Sequence, residues 1–519
     1  MAASTGHAVD LAGKMITEPV PLGDWLAVTP VALCLFFGAL LLMYRKNTAL
    51  QPRLGIAALA VLVLNNAMLL SRVLDQGTVV MTMGRWLPPF GITFTVDLLG
   101  AIFALTGAVV ALAGGIYAAA TLSSTDRRYG FYPFLLLMLG GVSGAFVTGD
   151  IFNLYVWFEV LLIASFGLLI LGSEPEQIDG AVKYAFLNLV GTTLFLITTG
   201  LLYGAFGTLN MADIARKVPQ LQNTAPVYTF AILYFLAFGM KAAAFPANFW
   251  LPASYHTPRI VVSALFAGLL TKVGVYALLR VLVTIMPMQR DIIAELIAWV
   301  AVATMLLGAV GALAQNDLRR LLGFTVISGI GTMLAGLALA SPLALSGAIF
   351  YAVHSMIVMT ALYCLAGMMI RLGGTHDLHD GGGLYAARPA LAAMALVLFF
   401  AVSGLPPFSG LWPKVMLVKA SLDVGAWWVA AGILVTGFLT TIVFGRVFLL
   451  MFWRPAQAAG EGTAAKADGA AFAATAALCA IAILLGVYPE PAMRVTGAAA
   501  AALLDAPGYI DAVFPQGGH

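Results

Sequence analysis

Five ionisable side chains stand inside long apolar runs. They are Glu159 in DIFNLYVWFEVLLIASFGLL, Lys241 in AFGMKAAAFPANFW, Lys272 in SALFAGLLTKVGVYALL, His354 in AIFYAVHSMIVMTALY and Lys414 in SGLPPFSGLWPKVMLVKA. An ionisable group at membrane depth is expensive and by default marks an ion or proton route. At ~1.5 Å of rise per residue, Glu159 lies ~12 Å from its nearer membrane surface, and His354, Lys272 and Lys241 lie ~17–21 Å in. Five proton-binding groups on five segments, mostly near one depth, are what a lateral proton relay needs. Each must accept a proton, hold it reversibly and pass it on, and histidine does so near neutral pH with little tuning.

Each group also fits a quieter role. Glu159 and Lys241 fit a static buried ion pair that fixes helix packing. Lys272 fits a donor to carbonyls freed at a broken helix, His354 a hydrogen-bonded core histidine, and Lys414 an interfacial side chain that snorkels to water. Secondary candidates lie nearer the surfaces: Lys183, His256, Asp150 and Lys419. Lys183 and Lys419 suit anchoring as well as relay. His256, in WLPASYHTP, suits either a turn cap or a proton feed towards Lys241 and Lys272. Asp150 and Asp97 also fit plain interface residues. The loop GGTHDLHDGGG is read as Gly-rich connection rather than a metal site, so no metal is expected.

Positioning such groups in hydrocarbon takes membrane helices of about 20 mostly apolar residues each. Of 519 residues, 61% are apolar and 9% charged, against about 25% charged in soluble domains. A soluble globular class is excluded, and an all-α polytopic membrane protein is expected. Fourteen apolar runs are centred near Leu35, Leu64, Leu105, Leu137, Leu162, Leu194, Leu236, Leu270, Ala303, Leu334, Val358, Phe399, Val435 and Ala480. They lie within a transmembrane domain at residues 25–490, between a polar N-terminal tail (1–24) and an interfacial C-terminal tail (491–519). Basic residues favour one set of loop ends, among them Arg45, Lys46, Arg53, Arg127, Arg128 and Lys466, over the set holding Lys14, Arg280 and Arg290. The positive-inside rule then puts both termini outside the cytoplasm. A net charge of +3 excludes a nucleic-acid partner. Cys34, Cys364 and Cys479 are isolated, so no iron–sulfur, disulfide or other redox cofactor is expected.

Two runs carry proline where a helix should be continuous: Pro246 in the seventh, Pro406 and Pro407 in the twelfth. Proline removes a backbone donor and clashes with the preceding turn, so helices 7 and 12 should be broken. They sit five spans apart, which suggests two five-helix repeats, about residues 130–285 and 291–453. An odd number of helices per repeat inverts the second copy. Paired broken helices in inverted repeats mark a midplane ion path.

Three stretches carry a family resemblance: GDIFNLYVWFEVLLIASFGLL, FGMKAAAFPANFWLPASYHTPRIVVSALFAGLLTKVGVYALLR, and NDLRRLLGFTVISGIGTM with SGLPPFSGLWPKVMLVKA. The chain resembles the antiporter-like subunits shared by respiratory complex I and the Mrp-type multisubunit Na⁺/H⁺ antiporters, and looks most like the D-type members of the Mrp branch. The resemblance implies fourteen helices, two inverted repeats and broken helices 7 and 12. It places the family's proton-path residues on Glu159, Lys241, Lys272 and Lys414, with His354 at the family's helix-eleven histidine. Where relatives would carry a lysine shortly after that histidine, this chain has Met359. The implied function is proton translocation within a bacterial inner-membrane Na⁺(cation)/H⁺ antiporter, a secondary transporter rather than an enzyme. The implied partners are the A, B, C, E, F and G types of subunit, the transported H⁺ and Na⁺, and the lipid bilayer. Two alternatives stand beside it: an N- or M-type proton-pumping subunit of complex I or a membrane hydrogenase, and a scaffold subunit whose buried charges are structural.

Overall fold

The computed structural model describes residues 15–455 and 469–515. Apolar runs in hydrocarbon must satisfy their backbone internally, and helices do so within one segment. Accordingly the chain folds into α1 (Thr29–Met43), α2 (Leu50–Gln76), α3 (Leu98–Thr121), α4 (Phe131–Val147), α5 (Ile151–Leu169), α6 (Pro175–Phe206), α7a (Val227–Ala242) and α7b (Trp250–Tyr255). The order continues with α8 (Ile260–Leu279), α9 (Ala294–Ala314), α10 (Leu318–Leu339), α11 (Pro342–Gly373), α12a (Pro389–Ser403) and α12b (Leu411–Asp423). It closes with α13 (Trp427–Phe448), α14 (Gly469–Val487), α15 (Glu490–Leu504) and α16 (Ala506–Val513). Ten helices are long and apolar enough to cross a membrane, and α1, α4, α7a and α12a are shorter apolar helices. Each of the fourteen expected centres falls in one of these elements.

Both interruptions fall at the predicted prolines. Between α7a and α7b, Ala243 takes a left-handed conformation (φ 64°) and the Phe245–Pro246 peptide is cis. Between α12a and α12b, Gly404 is left-handed (φ 84°) and Pro406–Pro407 is cis. Pro252 and Pro413 instead lie in the first turns of α7b and α12b, where a missing N–H costs no helical bond.

The middle of the bundle is formed by α8 and α10, each 94% buried across its apolar window, with α11 at 83%. Small residues let these helices close up. A Cβ at Gly274 of α8 would stand 2.7 Å from the Ala242 nitrogen and 2.9 Å from the Phe238 carbonyl. The backbone of α8 therefore touches α7a at its broken end.

Two features go beyond the expected picture, a hairpin and a pair of C-terminal helices. An antiparallel hairpin, β1 (Val79–Thr82) with β2 (Thr93–Val96), joins α2 to α3, pairing Val79 with Val96 and Thr82 with Thr93. Its β-branched and aromatic residues suit a pleated surface. Residues 1–14 of the polar tail lie outside the described residues, and Lys14 and Lys466 with them, while Asp24 pairs with Arg72 at 2.6 Å. The stretch read as an interfacial tail forms α15 and α16. α15 buries Thr496, Ala499, Ala500 and Leu503, and its Thr496 hydroxyl meets Ser346 of α11 at 3.0 Å.

Candidate functional site

Lys241 is the penultimate residue of α7a and is 3% exposed. Its ammonium donates to Asn188 Oδ1 on α6 at 3.1 Å. The Tyr184 and Phe158 rings flank it, with centroids at 5.8 and 6.0 Å. Asn188 Nδ2 donates to the Tyr184 carbonyl at 2.9 Å, which turns the amide oxygen towards the lysine. Glu159, partly buried on α5, interacts with Tyr155 one turn earlier, and its charge acts on Lys241. No Glu159–Lys241 ion pair forms among the described residues; the ammonium is held by a neutral amide instead. The Met240 carbonyl, freed at the break, accepts from Trp250 Nε1 at 3.1 Å.

At the centre of the bundle Lys272 is fully buried and donates to the Ala267 carbonyl of its own helix. Its acceptor thus lies on an intact helix, not at a broken one. The neighbouring Thr271 hydroxyl is buried without a protein partner among the described residues. His354 on α11 is 1% exposed, and its Nδ1 lies 2.7 Å from Ser409 Oγ in the α12a–α12b break. The charges of both Lys414 and Lys272 act on it. His354 thus touches the second break and feels the charges of both the central lysine and Lys414. Met359 is buried on the same helix, 2% exposed.

Lys414, in the first turn of α12b, turns inward rather than to a membrane surface. Its ammonium donates to the Ser403 carbonyl at 2.7 Å and to Val402 at 3.3 Å. These are among the carbonyls left without partners at a helix end. Gly404 leaves room for the lysine stem: a Cβ there would meet Lys414 Cδ at 2.6 Å. A cavity of about 750 Å³ opens beside Lys414, bordered by Val418, Lys419 and Phe438. Lys419 is exposed and pairs with Asp423 at 2.7 Å.

The other candidates lie apart from this line. Lys183 is exposed and paired with Asp179. His256 follows α7b; its Nδ1 lies 2.8 Å from the Pro252 carbonyl and its Nε2 3.2 Å from Arg320. Burial, and then the Arg320 guanidinium, hold its imidazole below the usual range. Asp150 caps α5, accepting from the Asn153 N–H at 2.7 Å. Burial pushes its carboxyl up to about 6, against the pull of that backbone bond. Among the described residues no His/Cys/Asp/Glu group is placed to hold a metal ion.

Sequence reasoning missed the neutral partners Asn188 and Ser409, whose signal is a polar side chain close to a break or within an apolar helix. It also missed a buried ion pair. Asp97, expected as an interface residue, caps α3 and accepts from Arg280 at 2.7 Å, with both side chains at most 3% exposed. Arg280, which the apolar runs put at a loop end, instead continues α8 into a π-helical turn and sits 5.0 Å from the ring of Tyr509 in α16.

Known proteins share this architecture. The family model described as NADH:quinone oxidoreductase/Mrp antiporter, transmembrane, matches residues 148–440. The D-type Na(+)/H(+) antiporter subunit of Alkalihalophilus pseudofirmus is 36% identical over 491 residues, covering 95% of this chain and 99% of its own. The protein of the same name from Bacillus subtilis is 34% identical, over 94% of this chain and 99% of its own. A chain in the structure of the Mrp complex from Dietzia sp. superposes with a TM-score of 0.87 at 28% identity, over 95% of this chain and 100% of that one.

Proposed function

This chain belongs to the NADH:quinone oxidoreductase/Mrp antiporter membrane family, and from that premise we propose that it is the proton-translocating D-type subunit of a multisubunit Na⁺/H⁺ antiporter. Protons would cross by way of Glu159, Lys241, Lys272, His354 and Lys414, while the counter-moving cation is handled elsewhere in the complex. The observation that carries this reading is how the three lysines are held. Lys241, Lys272 and Lys414 each donate to a neutral oxygen, an amide or a backbone carbonyl, and among the described residues none is locked to a carboxylate. A fixed ion pair would hold its proton. An ammonium on a neutral acceptor can surrender one without leaving a buried carboxylate stranded.

The single carboxylate of the line, Glu159, then acts at a distance on Lys241. Occupancy of one site is felt at the next because their charges interact across a medium of low dielectric. The proton motive force drives the exchange, His256 and Asp150 stand at opposite ends of the broken-helix bundle, and both termini face outside a bacterial inner membrane. A redox-driven subunit of the complex I type would use the same line. The names of the two relatives reported above, 36% and 34% identical, favour the antiporter.

The test is Na⁺-driven proton movement in everted vesicles carrying the whole complex with Glu159→Gln, with assembly followed on a native gel. Exchange lost from an assembled complex is expected. Exchange retained would remove Glu159 from the route, and a missing complex would make its role structural.

A further inference from the structure

We propose that the α1–α2 and α3–α4 loops together form a binding site for the phosphodiester headgroup of an anionic phospholipid. Arg45, Lys46, Thr125, Arg128 and Tyr129 line a pocket of about 350 Å³ between these loops. Its three cations have no ion-pair partner among the described residues, and no acid borders the pocket. The acid nearest in sequence is turned away. Asp126 accepts from Ser123 Oγ at 2.7 Å and from Arg259 at 3.2 Å. The remaining guanidinium of the second loop, Arg127, is spent on the Ala119 and Leu122 carbonyls at 2.6 and 3.1 Å. Converging like charges repel, and an anion held between them removes that cost.

Both loops are held in place before any ligand arrives. Gln51 Nε2 donates to the Arg45 carbonyl at 2.7 Å. Ser123 and Asp126 cap the short helix Ser124–Arg128 reciprocally. A cationic pocket with a hydroxyl and a phenol beside it suits a phosphate, for which guanidinium forks are well shaped.

The surroundings select a lipid over a free phosphate. The pocket lies where α1 and α3 end and α4 begins; α3 is long and apolar enough to cross a bilayer, which puts its end, and the pocket, at headgroup level. Tyr44 and Tyr129 are half-exposed beside it, as aromatic residues are at membrane interfaces. On α1, Phe36 and Met43 stand two turns apart and are 62% and 81% exposed. They give an apolar stripe leading from the pocket into the membrane, along which an acyl chain can lie. Basic pockets at helix ends bind acidic headgroups on the same electrostatic grounds.

The experiment is native mass spectrometry of the full-length chain in nonionic detergent, with phosphatidylglycerol and phosphatidylcholine added in equal amounts. Retained phosphatidylglycerol should exceed phosphatidylcholine by about tenfold or more. Arg45→Gln/Lys46→Gln/Arg128→Gln should abolish that preference. The charge-keeping Arg45→Lys/Arg128→Lys, and Arg388→Gln outside the pocket, should keep it. Equal retention of the two lipids by the unmodified chain overturns the proposal, as does a preference that survives the triple substitution. Displacement of phosphatidylglycerol by excess inorganic phosphate would make this a free-phosphate site and overturn the lipid. Loss of the preference in an assembled complex, with the isolated chain retaining it, would identify an acidic partner surface as the occupant instead.

Discussion

Asn188→Leu isolates the contact on which the first half of the proposed proton line depends. The side chain keeps its approximate volume and loses the oxygen that accepts from Lys241 at 3.1 Å. The Tyr184 carbonyl loses its bond to Asn188 Nδ2 but keeps its helical partner, so the packing cost is small. Lys241 has no second hydrogen-bond acceptor among the described residues. A hydrogen bond to a charged group contributes ~1.5–3 kcal/mol. That corresponds to a roughly 10- to 150-fold change in how readily the charged ammonium is held. If protons pass through that ammonium, the initial rate of Na⁺-driven proton movement should fall by a factor in the same range. The assay is the everted-vesicle measurement on a complex shown to be assembled, with Lys183→Gln alongside. Lys183 is exposed and paired with Asp179, so its substitution should leave the rate unchanged. An assembled Asn188→Leu complex that exchanges at the wild-type rate would refute Lys241 as a carrier held by Asn188.

Two further substitutions probe the scaffold. Asp97→Asn strips a buried guanidinium of its carboxylate and should destabilise the chain by ~3–5 kcal/mol, read by heat denaturation of the purified protein. Asp97→Asn/Arg280→Met should recover part of that loss, and an unchanged melt for the single variant would show that the pair contributes nothing. Asp150→Asn tests a pH effect. Because the folded carboxyl sits at about 6, above its unfolded range, folding takes up a proton there, so its charge subtracts stability above that pH and nothing below about 4. Asparagine caps a helix as well as aspartate does. The variant should therefore melt higher than wild type near neutral and alkaline pH, by at most ~3 kcal/mol, with the gap closing as the pH falls through 6 towards 4. A gap independent of pH would assign the effect to packing.

Much of the fold was legible because hydropathy is the one signal a membrane chain cannot hide. A run long enough to span must be a helix, and proline within it must interrupt it. The charges were legible for the same reason: Lys272 stands out in SALFAGLLTKVGVYALL as the only charged residue of the run. Their partners were not. Asn188 and Ser409 hold Lys241 and His354 across 53 and 55 residues of sequence, and Arg280 reaches Asp97 across 183. Lipid tails are as apolar as the helix faces they would compete with, so hydropathy records that a segment spans and leaves open which face meets which neighbour. α15 escapes the hydropathy signal on related grounds. Its VTGAAAAALL reads as weakly apolar, but small side chains allow the close approach that buries it.

The two breaks look alike in sequence and differ in how they are satisfied. At the first, Trp250 takes the freed Met240 carbonyl, which leaves Lys241 to a side-chain amide. At the second, the lysine itself takes the freed carbonyls of Val402 and Ser403, and Trp412 donates instead to Gly486 at the end of α14, at 2.7 Å. Moving Lys241 off Asn188 exposes one amide oxygen on a helix face. Moving Lys414 exposes two backbone carbonyls at a helix end, each costing ~1–3 kcal/mol if left unsatisfied and buried. The cavity beside Lys414 gives water the room to meet that cost. The first break therefore leaves its lysine on one side-chain amide, and the second holds its lysine on two backbone carbonyls. On the proposed route, a proton arriving at Lys414 must be matched by hydration of the break, whereas one arriving at Lys241 needs only the shift of a side chain.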